Sequence, residues 1–162
     1  MTAQHSPIIV PPGSDLPTTI HATAISVGES GLLICGPSGA GKTSLALRCL
    51  AGARSRGWHA ALIADDGVIV SMVAGRVLAS CPQPIAGRAE IRGTGIFSMS
   101  CQSRARLTAV IAPGQPVGEG RLPPEDETVS LGDRVLPLLR IDYAARIDPL
   151  EVLSIAGVVP RL

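Results

Sequence analysis

The sequence has few aromatic side chains and almost no net charge. It contains one tryptophan, one tyrosine and one phenylalanine in 162 residues. Proteins that hold single-stranded nucleic acids stack the bases on aromatic rings, so this composition argues against that class. Lys and Arg total 14 against 13 Asp and Glu, which gives a formal net charge of +1. Without a basic excess, nothing in the charge points to a nucleic-acid partner.

Long apolar runs and paired cysteines are also missing. No stretch of about 20 apolar residues is present, so we expect no membrane span, and the N-terminus does not resemble a secretory signal. The cysteines lack the C-x-x-C spacing of a zinc or redox site. We therefore interpret them as small buried side chains in a reducing compartment, the cytoplasm. They are Cys35, Cys49, Cys81 and Cys101.

The composition and patterning that are present indicate one α/β domain. Apolar residues make up 46% of the chain and charged residues 17%, which is typical of a globular protein with one core. Residues 1–17 contain several prolines and no periodic pattern, so we interpret them as a flexible lead-in to a domain over 18–162. The predicted strands are 18–27, 31–35, 59–64, 68–73, 76–79, 107–112 and 131–139, and those over 68–73 and 76–79 form a predicted hairpin turned at residues 74–75. The predicted helices are 43–50, closed by glycines and arginines in 51–57, and 149–157. In the first helix, Leu45, Cys49 and Leu50 would share one buried face.

A glycine-rich loop provides the strongest functional signal. It matches the pattern G-x-x-x-x-G-K-[ST] in full and lies between a predicted strand and a predicted helix. Glycines let the backbone wrap an anion, successive N–H groups form an anion nest, and the helix adds its positive end. We therefore expect Lys42 to reach the β- and γ-phosphates of a nucleoside triphosphate and the hydroxyl of Thr43 to bind Mg²⁺. The loop consists of Gly36, Pro37, Ser38, Gly39, Ala40, Gly41, Lys42 and Thr43.

Two adjacent carboxylates end the predicted strand that follows this helix. If that strand lies next to the loop strand, Asp65 and Asp66 come near the γ-phosphate, where they can orient Mg²⁺ or accept a proton from an attacking hydroxyl. Consecutive strand residues point to opposite faces, so both carboxylates reach the site only if the strand ends at Ala64. The alternative is a solvated turn with two acids. The residues alone therefore indicate a phosphate-loop phosphotransferase or NTPase.

Several motifs, in order, resemble the HPr kinase/phosphorylase family. His21 stands before the loop, residues 62–66 (LIADD) resemble the family's L-V-A-D-D strand end, and residues 90–96 (EIRGTGI) resemble its signature E-I-R-G-x-G-I. The signature is the most specific of these, since the loop pattern belongs to many families. The resemblance spans most of 18–140 and implies a phosphate-loop core related to that of phosphoenolpyruvate carboxykinase.

The resemblance implies an ATP- and Mg²⁺-dependent serine kinase. Its substrate would be HPr, the small phosphocarrier of the sugar phosphotransferase system, and the reaction would regulate carbon metabolism. Asp66 would be the general base for the serine hydroxyl, with Asp65 in support and His21 beside the reacting groups. Lys42 would hold the transferred phosphoryl group.

The resemblance also implies metal ligands and a further cation. Thr43 and Glu90 would bind Mg²⁺. Arg121 resembles the family's active-site arginine, and a guanidinium there would neutralise charge on the transferring group. Members of the family form hexamers, so a homo-oligomer is implied as well.

Two departures from the family pattern affect these expectations. Typical members carry a separate N-terminal domain, whereas the lead-in here is short, so we expect the form that consists of the catalytic core. The family's P-G-R-N segment, which is tied to dephosphorylation, is not visible, and residues 138–148 read LLRIDYAARID instead. The phosphorylase activity is therefore in doubt.

Two other functions remain open. A small-molecule kinase of the phosphate-loop type usually has a lid with several arginines, but the loop over 114–127 contains only Arg121. A non-catalytic module that senses ATP and binds a partner would not need the Asp65–Asp66 pair or Glu90. Both alternatives are weaker than the kinase on these grounds.

Overall fold

The computed structural model describes residues 9–10, 13–114, 122–123 and 125–161. Within these residues the chain forms a mixed α/β fold, as predicted, with a nine-stranded sheet, a separate two-stranded hairpin and two α-helices. The strands are β1 (Thr18–Ile20), β2 (Thr23–Val27), β3 (Ser30–Ile34), β4 (Ala60–Ala64), β5 (Val68–Val73), β6 (Arg76–Ser80), β7 (Arg88–Ile91), β8 (Gly95–Ser98), β9 (Arg104–Pro113), β10 (Thr128–Leu131) and β11 (Arg134–Ile141); the helices are α1 (Lys42–Ser55) and α2 (Pro149–Ile155), with a 3₁₀ turn at Gln83–Ile85.

The strand directions bring the ends of several strands to one edge of the large sheet. The order is β1-β5-β6-β9-β3-β2-β4, with β11 pairing β9 and β10 pairing β11. β9 runs parallel to β3 and to β11, whereas β2 runs antiparallel to both of its neighbours, β3 and β4. The carboxyl ends of β3, β4, β9 and β11 therefore meet at one edge, where β2 begins. Ligands of α/β sheets commonly bind at such an edge.

Helix α1 packs on the sheet through one apolar face. Leu45, Cys49 and Leu50 are each 1% exposed, which confirms their predicted common buried face. Complete burial of a leucine contributes about 1.5–3 kcal/mol to the free energy of unfolding. The helix continues beyond the predicted 43–50 and ends at Ser55, after which Gly57 adopts a φ of +73°. A left-handed residue at this position is a common helix stop.

Two predicted elements differ in the structure. The predicted strand over 131–139 is confirmed for residues 134–139, but its start is wrong, because the chain turns at Gly132 (φ +59°) and forms the antiparallel pair β10–β11. The predicted strand over 18–27 is divided at residues 21–22 into β1, which pairs β5, and β2, which pairs β3 and β4. The predicted hairpin of β5 and β6 is confirmed, with Ala74 and Gly75 both at positive φ, as two-residue hairpins require.

The remaining predictions concern the lead-in, the membrane and the cysteines. Val10, within the predicted lead-in, is 2% exposed and bridges to Leu131, while the division at residue 17 stays a prediction. No helix in the described part of the chain is long and apolar enough to cross a membrane. Burial of the cysteines is confirmed for Cys49, whose thiol pKa is raised by desolvation to about 12, but it is wrong for Cys101, which is exposed.

Candidate functional site

The glycine-rich loop connects β3 to α1 at the edge where the strand ends meet. Gly36, Gly39 and Gly41 adopt φ values of +141°, +83° and +98°, which side chains rarely allow. A Cβ atom at Gly36 would also lie 3.0 Å from the Pro113 ring. The backbone path of the loop therefore requires glycine at these positions. This path leaves the N–H groups of the first turn of α1 open to an anion.

Lys42 begins the helix and is 7% exposed. Its Nζ donates hydrogen bonds to two carbonyl oxygens of its own loop, those of Gly36 at 3.0 Å and Pro37 at 3.2 Å. The ammonium therefore lies over the loop, where it can neutralise a bound phosphate.

A chain of contacts joins this lysine to a carboxylate through a histidine. Lys42 Nζ lies 3.3 Å from His21 Nε2, and His21 Nδ1 lies 3.1 Å from the Asp66 carbonyl oxygen and 3.2 Å from its Oδ1. An ammonium group only donates, so Nε2 accepts and the ring proton sits on Nδ1, facing the two Asp66 oxygens. His21 precedes β2, whose first residues lie between the ends of β3 and β4. This topology brings the three residues together.

Asp65 is the structural centre of the site. It is 5% exposed, and its Oδ1 accepts from the hydroxyls of Thr23 (2.9 Å) and Thr43 (2.8 Å). Its Oδ2 accepts from the backbone N–H of Glu90 at 3.1 Å. These three donors compensate for the burial of a carboxylate, and they tie β2, α1 and β7 to the end of β4.

Asp66 has the opposite environment. Its side chain is 71% exposed, and its backbone φ of +68° turns the chain out of β4, which ends at Ala64 as required. Both carboxylates line the same cavity, although β4 is separated from β3 by β2 and is not its neighbour. The adjacency on which the sequence argument depended is therefore wrong, while the parallel direction of β3 and β4 still brings the carboxylates to the loop.

The β7–β8 hairpin forms a further wall of the site. The cavity is lined by Glu90 and Arg92, and Arg92 Nη2 donates to Ser38 Oγ of the glycine-rich loop at 2.7 Å. No sequence pattern predicted a contact between Arg92 and the loop. The available signal was its place in the E-I-R-G-T-G-I segment, where Gly93 and Gly95 adopt positive φ and turn the hairpin.

Arg48 of α1 is a second cavity residue that sequence reasoning missed. Its guanidinium donates to the carbonyl oxygens of Tyr143 at 2.6 Å and Ala145 at 3.1 Å, in the loop after β11. Tyr143 in turn donates its hydroxyl to the Cys35 carbonyl at 2.6 Å, and desolvation raises the pKa of this phenol. The only sequence signal was the position of Arg48 one helical turn after Ser44.

The cavity measures about 610 Å³, a usual size for a small-ligand site. Thr43, Asp65 and Glu90 contribute oxygen atoms at its wall, the ligand type that Mg²⁺ prefers. Among the described residues no cluster of three or more His, Cys, Asp and Glu side chains could hold a metal alone. Arg121 lies outside the described residues.

The fold and the site together define the class: a single-domain mixed α/β protein with a glycine-rich loop, carboxylates and a histidine at the carboxyl edge of its sheet. A family model described as the HPr Serine kinase C-terminal domain matches residues 16–102. The chain therefore belongs to the HPr serine kinase C-terminal domain family.

Two relatives agree with this assignment, and one solved structure has a similar fold. The chain is 41% identical over 83 residues to an HPr kinase/phosphorylase of Bordetella pertussis, covering 51% of this chain and 25% of the relative. It is 37% identical over 123 residues to that of Aromatoleum aromaticum, covering 68% and 37%. The chain thus spans only about a quarter of the first relative's length and somewhat more than a third of the second's. The Hpr(Ser) kinase/phosphatase of Coxiella burnetii has a similar fold, with a TM-score of 0.67 at 22% identity over 86% of this chain and 88% of that one.

Proposed function

We propose that this chain is an ATP-dependent protein kinase that transfers the γ-phosphoryl group to a serine hydroxyl of HPr, in the cytoplasm, and so regulates carbon metabolism. The observation that carries the proposal is the line of contacts Lys42–His21–Asp66, in which a histidine connects the lysine of the glycine-rich loop to an exposed carboxylate. An acceptor hydroxyl needs such a base within reach of the phosphoryl group. Family membership supports HPr as the acceptor.

The loop and its basic residues hold the triphosphate. Backbone N–H groups over 36–43 and the N-terminal end of α1 bind the phosphate oxygens. Lys42 moves from its loop carbonyls to the β- and γ-phosphates, and Arg92, already on Ser38, adds a second cation at the loop. We assign Arg121 the role of a further cation, which neutralises charge on the transferring phosphoryl group. We also propose that the loop region is a phosphate-loop core related to that of phosphoenolpyruvate carboxykinase.

Thr43 and Glu90 would hold a Mg²⁺ ion, with Asp65 orienting Thr43 through its 2.8 Å hydrogen bond. When bound, Mg²⁺ would neutralise negative charge on the triphosphate. Because Asp65 also accepts from Thr23 and the Glu90 N–H, it fixes the relative positions of both ligands. This is a supporting role, as the family resemblance implies.

Asp66 accepts the proton of the serine hydroxyl as that oxygen attacks the γ-phosphorus in line. Its exposed carboxylate is accessible to a protein substrate. His21 donates its Nδ1 proton toward Asp66 and so holds the carboxylate in place, while its Nε2 accepts from Lys42. Kinase activity is the proposed reaction. Phosphorolysis of phosphorylated HPr is not part of the proposed function. The proposed assembly is a hexamer, as in the family.

The test is a transfer assay with the purified protein, γ-labelled ATP, Mg²⁺ and HPr from the same organism. We expect label on an HPr serine with the wild-type protein and none with Lys42→Ala, which removes the cation over the loop. If ATP binds but HPr remains unlabelled, the protein-kinase function is wrong. A non-catalytic ATP-sensing module or a small-molecule kinase then remains.

A further inference from the structure

We propose that the part of the cavity along helix α1 binds the base and ribose of the nucleotide; this inference rests on the proposed function, which needs only the phosphates. The side chains of Ser44, Leu47, Arg48 and Ala51 line this part. Their spacings of three and four residues place them on one face of the helix. This helix face and the opposing Ile91 form the α1 groove.

The α1 groove starts where the triphosphate site ends. Ser44 directly follows the Mg²⁺ ligand Thr43, and Ala51 lies two turns further along, about 10 Å away at 1.5 Å per residue. A nucleotide whose phosphates lie at the helix N-terminus therefore meets this face next. No rearrangement of the described chain is needed, since the face already lines the cavity.

The walls of the α1 groove suit a planar base. Leu47 and Ala51 on the helix face Ile91 on β7, which is 36% exposed, and α1 and β7 are in contact. Cofactor sites of this kind combine apolar walls with a small number of placed polar groups. The faces of a nucleobase are apolar, so contact with these side chains removes apolar surface from water on both sides.

Arg48 supplies the placed polar group. Its two hydrogen bonds to the carbonyls of Tyr143 and Ala145 fix the guanidinium against the loop that follows β11. A guanidinium plane held in this way presents a face on which a base can stack. The loop belongs to the carboxyl edge of the sheet, the usual ligand-binding edge of α/β folds.

The acceptor protein approaches from the other end of the cavity. His21 contacts Lys42 Nζ, and Asp66 contacts His21 on the other side of its ring, at the γ-phosphate end of the proposed triphosphate site. In-line transfer requires the attacking oxygen to lie opposite the leaving diphosphate. The α1 groove, which begins beyond Thr43, lies on the side of the leaving nucleotide, so the nucleoside occupies it.

The experiment compares Mg²⁺-ATP with Mg²⁺-tripolyphosphate, which lacks the nucleoside, by calorimetric titration. The variant Ala51→Trp fills the α1 groove from an exposed helix position, and Ser55→Trp makes a similar change one turn away, outside the cavity. We expect Ala51→Trp to weaken ATP binding at least tenfold while tripolyphosphate binding stays within twofold. Ser55→Trp should change neither affinity. If Ala51→Trp does not fold, Ile91→Trp blocks the groove from the opposite wall.

The other outcomes contradict the inference in distinguishable ways. Unchanged ATP affinity in the folded groove variant, or equal weakening of both ligands, would show that the nucleoside lies elsewhere. Intact ATP binding with lost phosphorylation of HPr would assign the groove to the acceptor, which overturns the inference but leaves the proposed kinase standing. If the wild-type protein binds neither ATP nor tripolyphosphate, the proposed function fails and the subsite fails with it.

Discussion

At the residue scale, the two adjacent aspartates illustrate how one strand end provides two different carboxylates. Asp65 is buried and accepts three hydrogen bonds, so its position is fixed by the surrounding fold. The side chain of Asp66, one residue later, is 71% exposed. Among the described residues, His21 is its only hydrogen-bond or ion-pair partner. The first carboxylate organises the site, and the second is accessible for chemistry.

Replacement of the proposed base should separate transfer from binding. Asp66→Asn keeps the shape of the exposed side chain but removes its ability to take a proton. We expect phosphoryl transfer to HPr to fall by about 10²–10⁴-fold, with ATP affinity changed less than about threefold. Single-turnover transfer and calorimetric titration measure the two quantities. Asp133→Asn, an exposed site outside the cavity, is the control, and near wild-type transfer in Asp66→Asn would exclude Asp66 as the base.

Replacement of Arg92 tests its contact with the loop. Arg92→Gln removes the cation that donates to Ser38 at 2.7 Å. We expect Mg²⁺-ATP to bind about tenfold more weakly, because a charge-assisted contact to phosphate is lost. Arg88→Gln removes an equal charge from an exposed position of the same hairpin, outside the cavity, and should have little effect. If the two variants bind Mg²⁺-ATP with equal affinity, Arg92 contacts the loop but does not contribute to phosphate binding.

At the scale of elements, the site depends on which segments meet at one sheet edge. The loop precedes α1, the aspartates follow β4, His21 precedes β2, and Glu90 and Arg92 belong to the β7–β8 hairpin. The hairpin is not part of the large sheet. It is attached to the site through the Glu90 N–H to Asp65 and the Arg92 guanidinium to Ser38. No residue of helix α2 lines the cavity. Its N-cap residue Asp148 forms an ion pair with Arg56, the residue that follows α1.

The ion pair at the start of α2 should make stability depend on pH. Desolvation raises the pKa of Asp148, but the hydrogen bonds from Arg56 (2.9 Å) and from the Leu150 N–H outweigh it and lower this pKa. A carboxyl whose pKa is lowered in the folded state stabilises that state above its unfolded pKa of about 3.9. The contribution is lost as the pH falls through the folded value.

Asp148→Asn isolates this contribution, since asparagine is an equally good helix N-cap. We expect the variant to unfold at a lower urea concentration than the wild type at pH 7, and the difference to shrink as the pH falls below about 4. Arg56→Gln, which removes the partner, should show the same trend. A difference that stays constant between pH 7 and pH 3 would contradict the ion-pair argument.

At the scale of the whole molecule, the pairing of β3 with β9 joins the two halves of the large sheet. Gly31 lies where the register of this pairing shifts, and a Cβ atom there would overlap the backbone carbonyl oxygen of Arg106. The same strand leads into the glycine-rich loop. A disturbance at this point therefore affects both the stability of the sheet and the position of the site.

Gly31→Ala should destabilise the protein by about 3 kcal/mol, because the clash is with backbone and cannot be relieved by a side-chain movement. Gly67→Ala is the matched control, since its Cβ would meet only side chains at ordinary distances, with Ile85 nearest at 3.5 Å. Urea unfolding of both variants measures the free energies. A similar small loss in both would show that β3 and β9 can separate enough to admit the methyl group.

The sequence by itself determined the chemistry that local pattern controls. The glycines, Lys42 and Thr43 of the loop are recognisable because their function depends on consecutive backbone geometry, and the buried face of α1 follows from helical spacing. Family motifs added His21 and Glu90. The turn at Gly132 was missed, because apolar residues on both sides of it continue the same strand pattern.

Only the tertiary structure decided which distant segments share the site. That β2 lies between β3 and β4, that Asp65 is buried while Asp66 is exposed, and that Arg48 and Arg92 face the cavity all follow from strand order and direction. These depend on contacts between residues far apart in the chain, for which local periodicity contains no information. Sequence spacing predicts the residue types of this site, and long-range packing determines their arrangement.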